Sequence, residues 1–378
     1  MKVTPLGPEA WARKYGGRAS ISFGVEAEPL RLGEILSAEE AARLGDRLSR
    51  WDLAYGLGEM EQALKALIAC LYEDVSREEI LLTSGVSEAN YLVLNALLDG
   101  ADGMIVEAPA FQQHFQIAEG RGIEVKRWWV REVNGRYALD VEELERLIDD
   151  RTRLVIINNP QNPTGFAIER DVLQGVIDLL RERGIHLYSN ELFRGLQIKD
   201  GFVFPSAHEL DPWAISASGL SKVWGCGGLR LGWFLASKDV IERLATYQAY
   251  TSLRHAAKLS VFAAIEVLAK RERVLACRRE TVRKNLELLR RWVAAEEHLH
   301  CVVPDEGLTA LVRYDLDLAS EEFCLKLLEG TGVLACPGSY FGVERSFRIG
   351  IGLPAEEFEV GLKSISGFVR KMKEEART

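Results

Sequence analysis

The 378-residue sequence predicts an α/β fold, with a mostly parallel sheet covered by helices and a second, smaller domain. Three observations carry this. Short apolar runs alternate with helical patterns from "EEILLTS" to "LGWFLAS", which is the signature of a parallel sheet packed on both faces. The chain is long enough for one large and one small domain with an ample core. After a long helical stretch, strands resume near the carboxyl end and are followed by a terminal helix.

Composition narrows the function. Nearly half the residues are hydrophobic and about a quarter are charged, as in an ordinary soluble enzyme. A net charge of -9, with no basic cluster, argues against nucleic acid as a partner. Cys70, Cys226, Cys277, Cys301, Cys324 and Cys336 are scattered with no C-x-x-C pair, so neither a metal site nor a disulfide framework is expected. The opening "MKVTPLGPEAWARKYGG" lacks the apolar core of a signal peptide, and no run has the length of a membrane span. The expectation is a cytoplasmic protein with no membrane partner.

Taken in order, a helical pattern around "PEAWARKYGG" precedes "ISFGVEAEPLRLGE", and a second helix starts at Ser37 with Glu40 at capping-box spacing. Met60, Leu64, Leu67, Ile68 and Leu71 mark the buried face of the next helix. "EEILLTSGVSEANYLVLNALLDG" reads as strand, tight turn and helix. Backbone N–H groups at that helix start, with the helix dipole behind them, make Gly85, Val86 and Ser87 a candidate anion site. Strands "GMIVEA" and "IEVKRWWV" follow, then helix "DVEELERLIDD", strand "RLVIIN", a helix from Ile168, and strand "IHLYSN". Strands "WAISAS" and "LGWFLAS" flank a glycine-rich loop, and helices then run on through "LELLRRWVAA". The end of the chain reads as strand "LTALVRY", helix "SEEFCLKLLEGTG", strands "VLACPG" and "SFRIGIG", and a helix from Pro354.

Three stretches bear chemistry. In "SASGLSKVWGCGGLRLGW", Lys222 is suited to covalent catalysis if its surroundings desolvate the amine, and "GCGG" lets Arg230 face the same ligand from the other end. That layout fits an aldehyde carrying a phosphate. "NNPQNPTG", from Asn158 to Gly165, specifies a rigid turn at the carboxyl end of a strand, the edge where open α/β sheets bind ligands. "HLYSNELFRGL" is an apolar strand that ends in polar groups.

In order and spacing, and in the string "NPTG", these stretches resemble the fold-type I, aspartate-aminotransferase-like family of pyridoxal-phosphate enzymes, class I/II, over nearly the whole chain. The resemblance implies a large domain built on a sheet of the seven-stranded type, and a smaller α+β domain from both chain ends. The divisions are 1–45 for a segment at the active-site mouth, 46–285 for the cofactor-binding domain and 286–378 for the small domain. It implies pyridoxal 5′-phosphate held by Lys222 as a Schiff base, with Lys222 also moving the substrate's Cα proton. Arg230 and Gly85–Ser87 would hold the phosphate, Phe111 would stack on the ring, and Asn162 would bond the ring oxygen and border the substrate. Arg348 would clamp the substrate α-carboxylate. Tyr55, in "YGLG", would reach a partner subunit's phosphate, as Thr251 and Ser252 could, so a homodimer is implied. Glu26 and Glu28, on the entrance segment, could receive a cationic side chain or stand as solvated surface acids.

The chain departs from the family pattern in one site. Where the family has an aspartate beside the ring nitrogen, the string reads Asn190, Glu191, Leu192, Phe193, Arg194. Neutral asparagine can hydrogen-bond but need not keep a proton on that nitrogen. Phe193 replaces a tyrosine that would donate to the ring oxygen. Gly219 stands where Ser or Thr binds phosphate, leaving Ser218 or Ser221 to substitute. The sequence therefore reads as an aminotransferase moving an amino group between an amino acid and a 2-oxo acid. A cyclase, eliminase or oxidase of arginine or a related cationic amino acid, like capreomycidine synthase and its arginine-oxidising relatives, is the first alternative. A cofactor-binding protein without turnover is the second.

Overall fold

The computed structural model describes residues 2–24, 26–52, 54–196, 198, 204–253 and 256–375. Its centre is a seven-stranded sheet of β1 (Ile80–Thr83), β2 (Gly103–Ala108), β3 (Glu124–Trp129), β4 (Thr152–Asn158), β5 (His186–Asn190), β6 (Ile215–Gly219) and β7 (Gly232–Leu235), in the spatial order β1-β7-β6-β5-β4-β2-β3. All neighbours pair parallel except β7, which is antiparallel to both β1 and β6. The reversal of β7 has a consequence for function: the residues entering it sit at the same edge as the carboxyl ends of the other six strands.

The apolar runs are explained by burial on both faces. Alternate residues serve opposite layers. Met104, Val106, Leu154, Ile156 and Tyr188 share a core with helix Val86–Leu97. Ile105, Val155, Ile157 and Leu187 pack with helix Arg170–Glu182 on the other side. The hairpin Arg131–Val133 with Arg136–Ala138 is a feature the sequence reading lacked; it turns through Asn134 and Gly135, both at positive φ.

A second sheet holds β8 (Leu299–His300), β9 (Thr309–Tyr314), β10 (Cys336–Pro337) and β11 (Ser346–Gly350), antiparallel and in the order β8-β9-β11-β10. The amino-terminal segment joins this end of the chain: Ile21–Ser22 pairs parallel with Val333–Leu334, and Ala27 bridges Gly352. Trp11 donates its indole N–H to the Ala335 carbonyl at 3.0 Å. The helical stretch between the sheets resolves into Lys238–Gln248, Lys258–Ala269 and Arg271–Ala295. The last of them runs through residue 285, the expected division between the domains. Arg254 and His255, shortly after Thr251 and Ser252, lie outside the described residues, as does Val25 of the "ISFGVEAEPLRLGE" stretch.

Candidate active site

The carboxyl edge of the large sheet and the amino-terminal segment enclose a cavity of about 590 Å³. Chain direction explains what meets there. Val86 and Ser87 follow β1, Phe111 follows β2, Asn158 and Asn162 end and follow β4, and Asn190 ends β5. Ser221 and Lys222 follow β6, and Arg230 precedes the reversed β7. Arg348 comes from the middle of β11, and Glu26 from the segment pinned beside it.

One end of the cavity is shaped to receive an anion. Gly85 has φ +86°, and a Cβ there would lie 2.7 Å from Arg230 Nη2, so only glycine lets the guanidinium approach the helix start. Behind that turn begins the twelve-residue helix Val86–Leu97, whose first N–H groups lack helical acceptors. Gly219 is explained by the same packing. A Cβ on it would stand 2.8 Å from the Leu231 carbonyl and 3.2 Å from Val86 Cγ2, so the hydroxyl side chain of the family pattern has no room. Ser221 lines the cavity; Ser218 does not, and its hydroxyl donates to the Glu191 carbonyl at 3.2 Å. Of the two serines offered as substitutes, the structure brings only Ser221 to the cavity.

At the other end, one carboxylate joins two cations. Glu26 Oε2 accepts from Lys222 Nζ at 2.6 Å and Glu26 Oε1 from Arg348 Nη1 at 2.6 Å. Glu26 and Arg348 are 6% and 4% exposed. Burial pushes the Glu26 carboxyl up, but the charges of Lys222 and then Arg348 outweigh it and hold it at about 2. Arg348 also donates to the Gly24 carbonyl at 3.0 Å and to Asn162 Oδ1 at 3.3 Å. The amine of Lys222 thus meets a carboxylate, a partner that its sequence neighbours did not announce. Glu28 is exposed and outside the cavity, so the two acids do not act as a pair.

A third group of polar residues surrounds Asn190. Its Oδ1 accepts from the Leu192 N–H at 3.2 Å, while Nδ2 contacts Asn90 Oδ1 at 3.2 Å and His114 Nε2 at 3.0 Å. Tyr188 donates to Asn90 Oδ1 at 2.7 Å, and Asn90 donates to Gln113 Oε1 at 3.1 Å. Asn158 ties the group to the neighbouring strand, donating to the Asn190 carbonyl at 2.7 Å and accepting from the Asn162 N–H at 2.9 Å. Phe193 is buried against the cavity, and Phe111 meets His114 edge-on with ring centroids 6.0 Å apart. Asn90 and His114 were absent from the sequence reading, which named Asn158 only as the start of the turn. A faint signal existed: Asn90 follows Val86 by four residues on one helix, and His114 follows Phe111 by three in a tight turn.

Tyr55, 88% exposed, lies outside this chain's own cavity. Thr251 donates to Glu88 Oε1 at 2.6 Å and, with Ser252, is also outside it.

An anion cradle at a helix start, a lysine amine within the same cavity and a buried guanidinium beyond it are what a phosphorylated aldehyde and a carboxylate substrate would require. The comparisons name the family. Residues 32–365 match the model of aminotransferase class I and II, and the chain belongs to that family. A capreomycidine synthase of Streptomyces vinaceus is 31% identical over 333 residues, covering 88% of this chain and 85% of that one. A PLP-dependent aminotransferase from Streptococcus suis 89-1591 superposes with a TM-score of 0.91 at 30% identity, covering 98% and 99% of the two chains. The PLP-dependent cyclase OrfR superposes at 0.85 with 26% identity, covering 98% of each chain. The chain is a pyridoxal-phosphate-dependent transferase of this family, and the cradle, the amine and the cavity fit that cofactor.

Proposed function

We propose that this enzyme moves the amino group of an L-amino acid to a 2-oxo acid, with Lys222 as the residue that holds the cofactor and moves the Cα proton. One observation carries the reading: Lys222 Nζ and the Arg348 fork are a single carboxyl group apart, bridged by Glu26. A substrate α-carboxylate that took Glu26's place on Arg348 would set its α-carbon beside the lysine amine. Arg230, the Gly85–Ser87 turn and Ser221 hold the phosphate, Phe111 and Phe193 flank the ring, Asn162 bonds its oxygen and Asn190 faces its nitrogen. The cofactor supplies the electron sink that makes the bonds at that carbon breakable. Lys222 takes the proton, Arg348 orients the carboxylate, and the buried walls exclude water. A homodimer in the cytoplasm belongs to the same reading, with Tyr55, Thr251 and Ser252 of one copy turned towards the phosphate held by the other.

A second reading rests on a different observation. Glu26 is a buried anion inside the cavity and Asn190 is neutral where an aspartate is expected, a pairing that suits a cationic amino acid processed without net amino transfer. The likeness to a capreomycidine synthase and to the cyclase OrfR supports it. Anaerobic absorbance spectra of the cofactor-loaded protein with single amino acids, arginine included, separate the two. Conversion to pyridoxamine phosphate, reversed by a 2-oxo acid, is the expected result. Consumption of the amino acid with the cofactor still an aldehyde would replace the first reading by the second. A spectrum that no amino acid changes would leave a cofactor-binding protein without turnover.

A further inference from the structure

We propose that Glu26 is the counter-ion of Lys222: it holds one fixed negative charge against the lysine nitrogen and keeps that nitrogen protonated when it is joined to the cofactor aldehyde. The inference rests on Lys222 being the residue that holds the cofactor, and it is independent of which amino acid reacts.

The contact is made between two atoms of this chain. Glu26 Oε2 lies 2.6 Å from Lys222 Nζ, across 196 residues of sequence. The backbone on both sides of Glu26 is tied down, so the carboxylate is delivered to one place. Phe23 donates its N–H to the Leu334 carbonyl and accepts from the Gly350 N–H, both at 2.8 Å. Ala27 bridges Gly352, where any Cβ would run into the Glu26 carbonyl oxygen. Leu30 donates to the carbonyl of Gly225, in the lysine's own loop, at 2.9 Å. The two carboxylate oxygens have separate partners, Oε1 on Arg348 and Oε2 on Lys222. A carboxylate ligand that takes Arg348 therefore need not displace the oxygen on Lys222.

No other group of the cavity wall fits this role. Among the described residues its one further acid is Glu9, on the exposed first turn of helix Gly7–Tyr15. On β10, burial pushes the Cys336 thiol up to about 11, so it is uncharged at neutral pH. His114 is uncharged there as well, since burial holds its ring at about 4. Asn190 and Phe193 carry no charge. Arg348 on β11 and Arg230 before β7 are cations, which disfavour a further positive charge in the same cavity. Glu26 itself is anionic: burial works against it, but the charges of Lys222 and Arg348 hold its carboxyl at about 2.

Condensation of the Lys222 amine with an aldehyde releases water and leaves a carbon–nitrogen double bond whose nitrogen keeps or loses one proton. A carboxylate beside it favours keeping the proton, and the protonated double bond is the form that an incoming amine attacks more readily. Without Glu26, the cations of the cavity would favour its loss. The same carboxylate stabilises the ammonium that Lys222 becomes on taking the Cα proton.

The test is the absorbance of the cofactor-loaded enzyme without substrate, titrated from acid to alkaline pH, since the protonated and neutral double bonds absorb at different wavelengths. Wild type is expected to keep the protonated form through neutral pH; a neutral form already dominant there would overturn the proposal without any variant. In Glu26→Gln the midpoint is expected to fall by roughly 1–3 pH units, the effect of losing one nearby opposite charge. Glu26→Asp keeps the charge and is expected to recover much of that shift, which a merely structural role does not predict. An unmoved midpoint in a Glu26→Gln protein that retains the cofactor, or equal shifts in both variants, would show that Glu26 is not the counter-ion. Borohydride reduction and peptide mass mapping read the attachment separately. An adduct at Lys222 with an unmoved midpoint rejects the counter-ion alone, whereas an adduct elsewhere rejects the reading of Lys222 and the proposal with it.

Discussion

Replacing Glu26 by glutamine removes the one anion shared by Lys222 and Arg348 while keeping the side chain's size. In the protein freed of cofactor, the carboxyl falls from its ordinary 4.5 to about 2 on folding. At roughly 1.4 kcal/mol per pH unit, that shift is worth about 3 kcal/mol near neutral pH. Loss of one partner from a buried ion pair costs on the order of 3–5 kcal/mol, so the two routes agree in size. A depressed carboxyl pKa contributes stability that is fully present above the unfolded value and is lost as pH falls through the folded one. The difference between wild type and Glu26→Gln is therefore expected to be constant above pH 5, to shrink below half its size by roughly pH 3, and to vanish near pH 1. The assay is urea unfolding at fixed protein concentration, comparing midpoints at equal m-value across that range. Other acid-sensitive groups cancel in the difference. Equal stability of the two proteins at pH 7, or a gap that does not narrow on acidification, would refute the reasoning that Glu26 is an ionised bridge.

Arg348→Gln removes a charged donor pair from the clamp and is expected to raise the KM for the amino acid about 10- to 100-fold, from roughly 1.5–3 kcal/mol per charged hydrogen bond; steady-state kinetics with cofactor held saturating checks it. Gly219→Ser restores the family's residue at a position where its Cβ would press on the Leu231 carbonyl and Val86. It is expected to cost about 1–3 kcal/mol in urea unfolding and to weaken cofactor retention on dialysis instead of improving it. Glu107 binds its proton more tightly folded than unfolded, so its contribution to stability falls as pH rises from 4.5 towards 8. Glu107→Gln, which keeps an acceptor for the Asn158 N–H, is expected to gain on wild type between pH 5 and pH 9, and parallel pH profiles would show the carboxyl to be ordinary.

Local signals determined much of this protein. Short continuous apolar runs marked the strands because each face of the large sheet is covered, and period-3.6 patterns marked the helices. The prolines, asparagines and glycines of "NNPQNPTG" and "GCGG" marked the turns at its carboxyl edge, since those residues fix backbone geometry wherever they stand. Lys222, Arg230 and the Gly85 turn were legible for that reason. What only the tertiary structure decided lies in contacts between distant residues. Glu26 meets Lys222 and Arg348 across 196 and 322 residues, and it separated from Glu28 because strand pairing beside β11 turned one acid inward and left the other in solvent. The reversal of β7, which brings Arg230 to Gly85, has no periodicity of its own. Neither does the direction of the Asn190 amide, set by one backbone N–H two residues away and by side chains 76 and 100 residues earlier. A sequence states which groups are available; which neighbours each end of an amide meets is fixed only when the chain has closed around it.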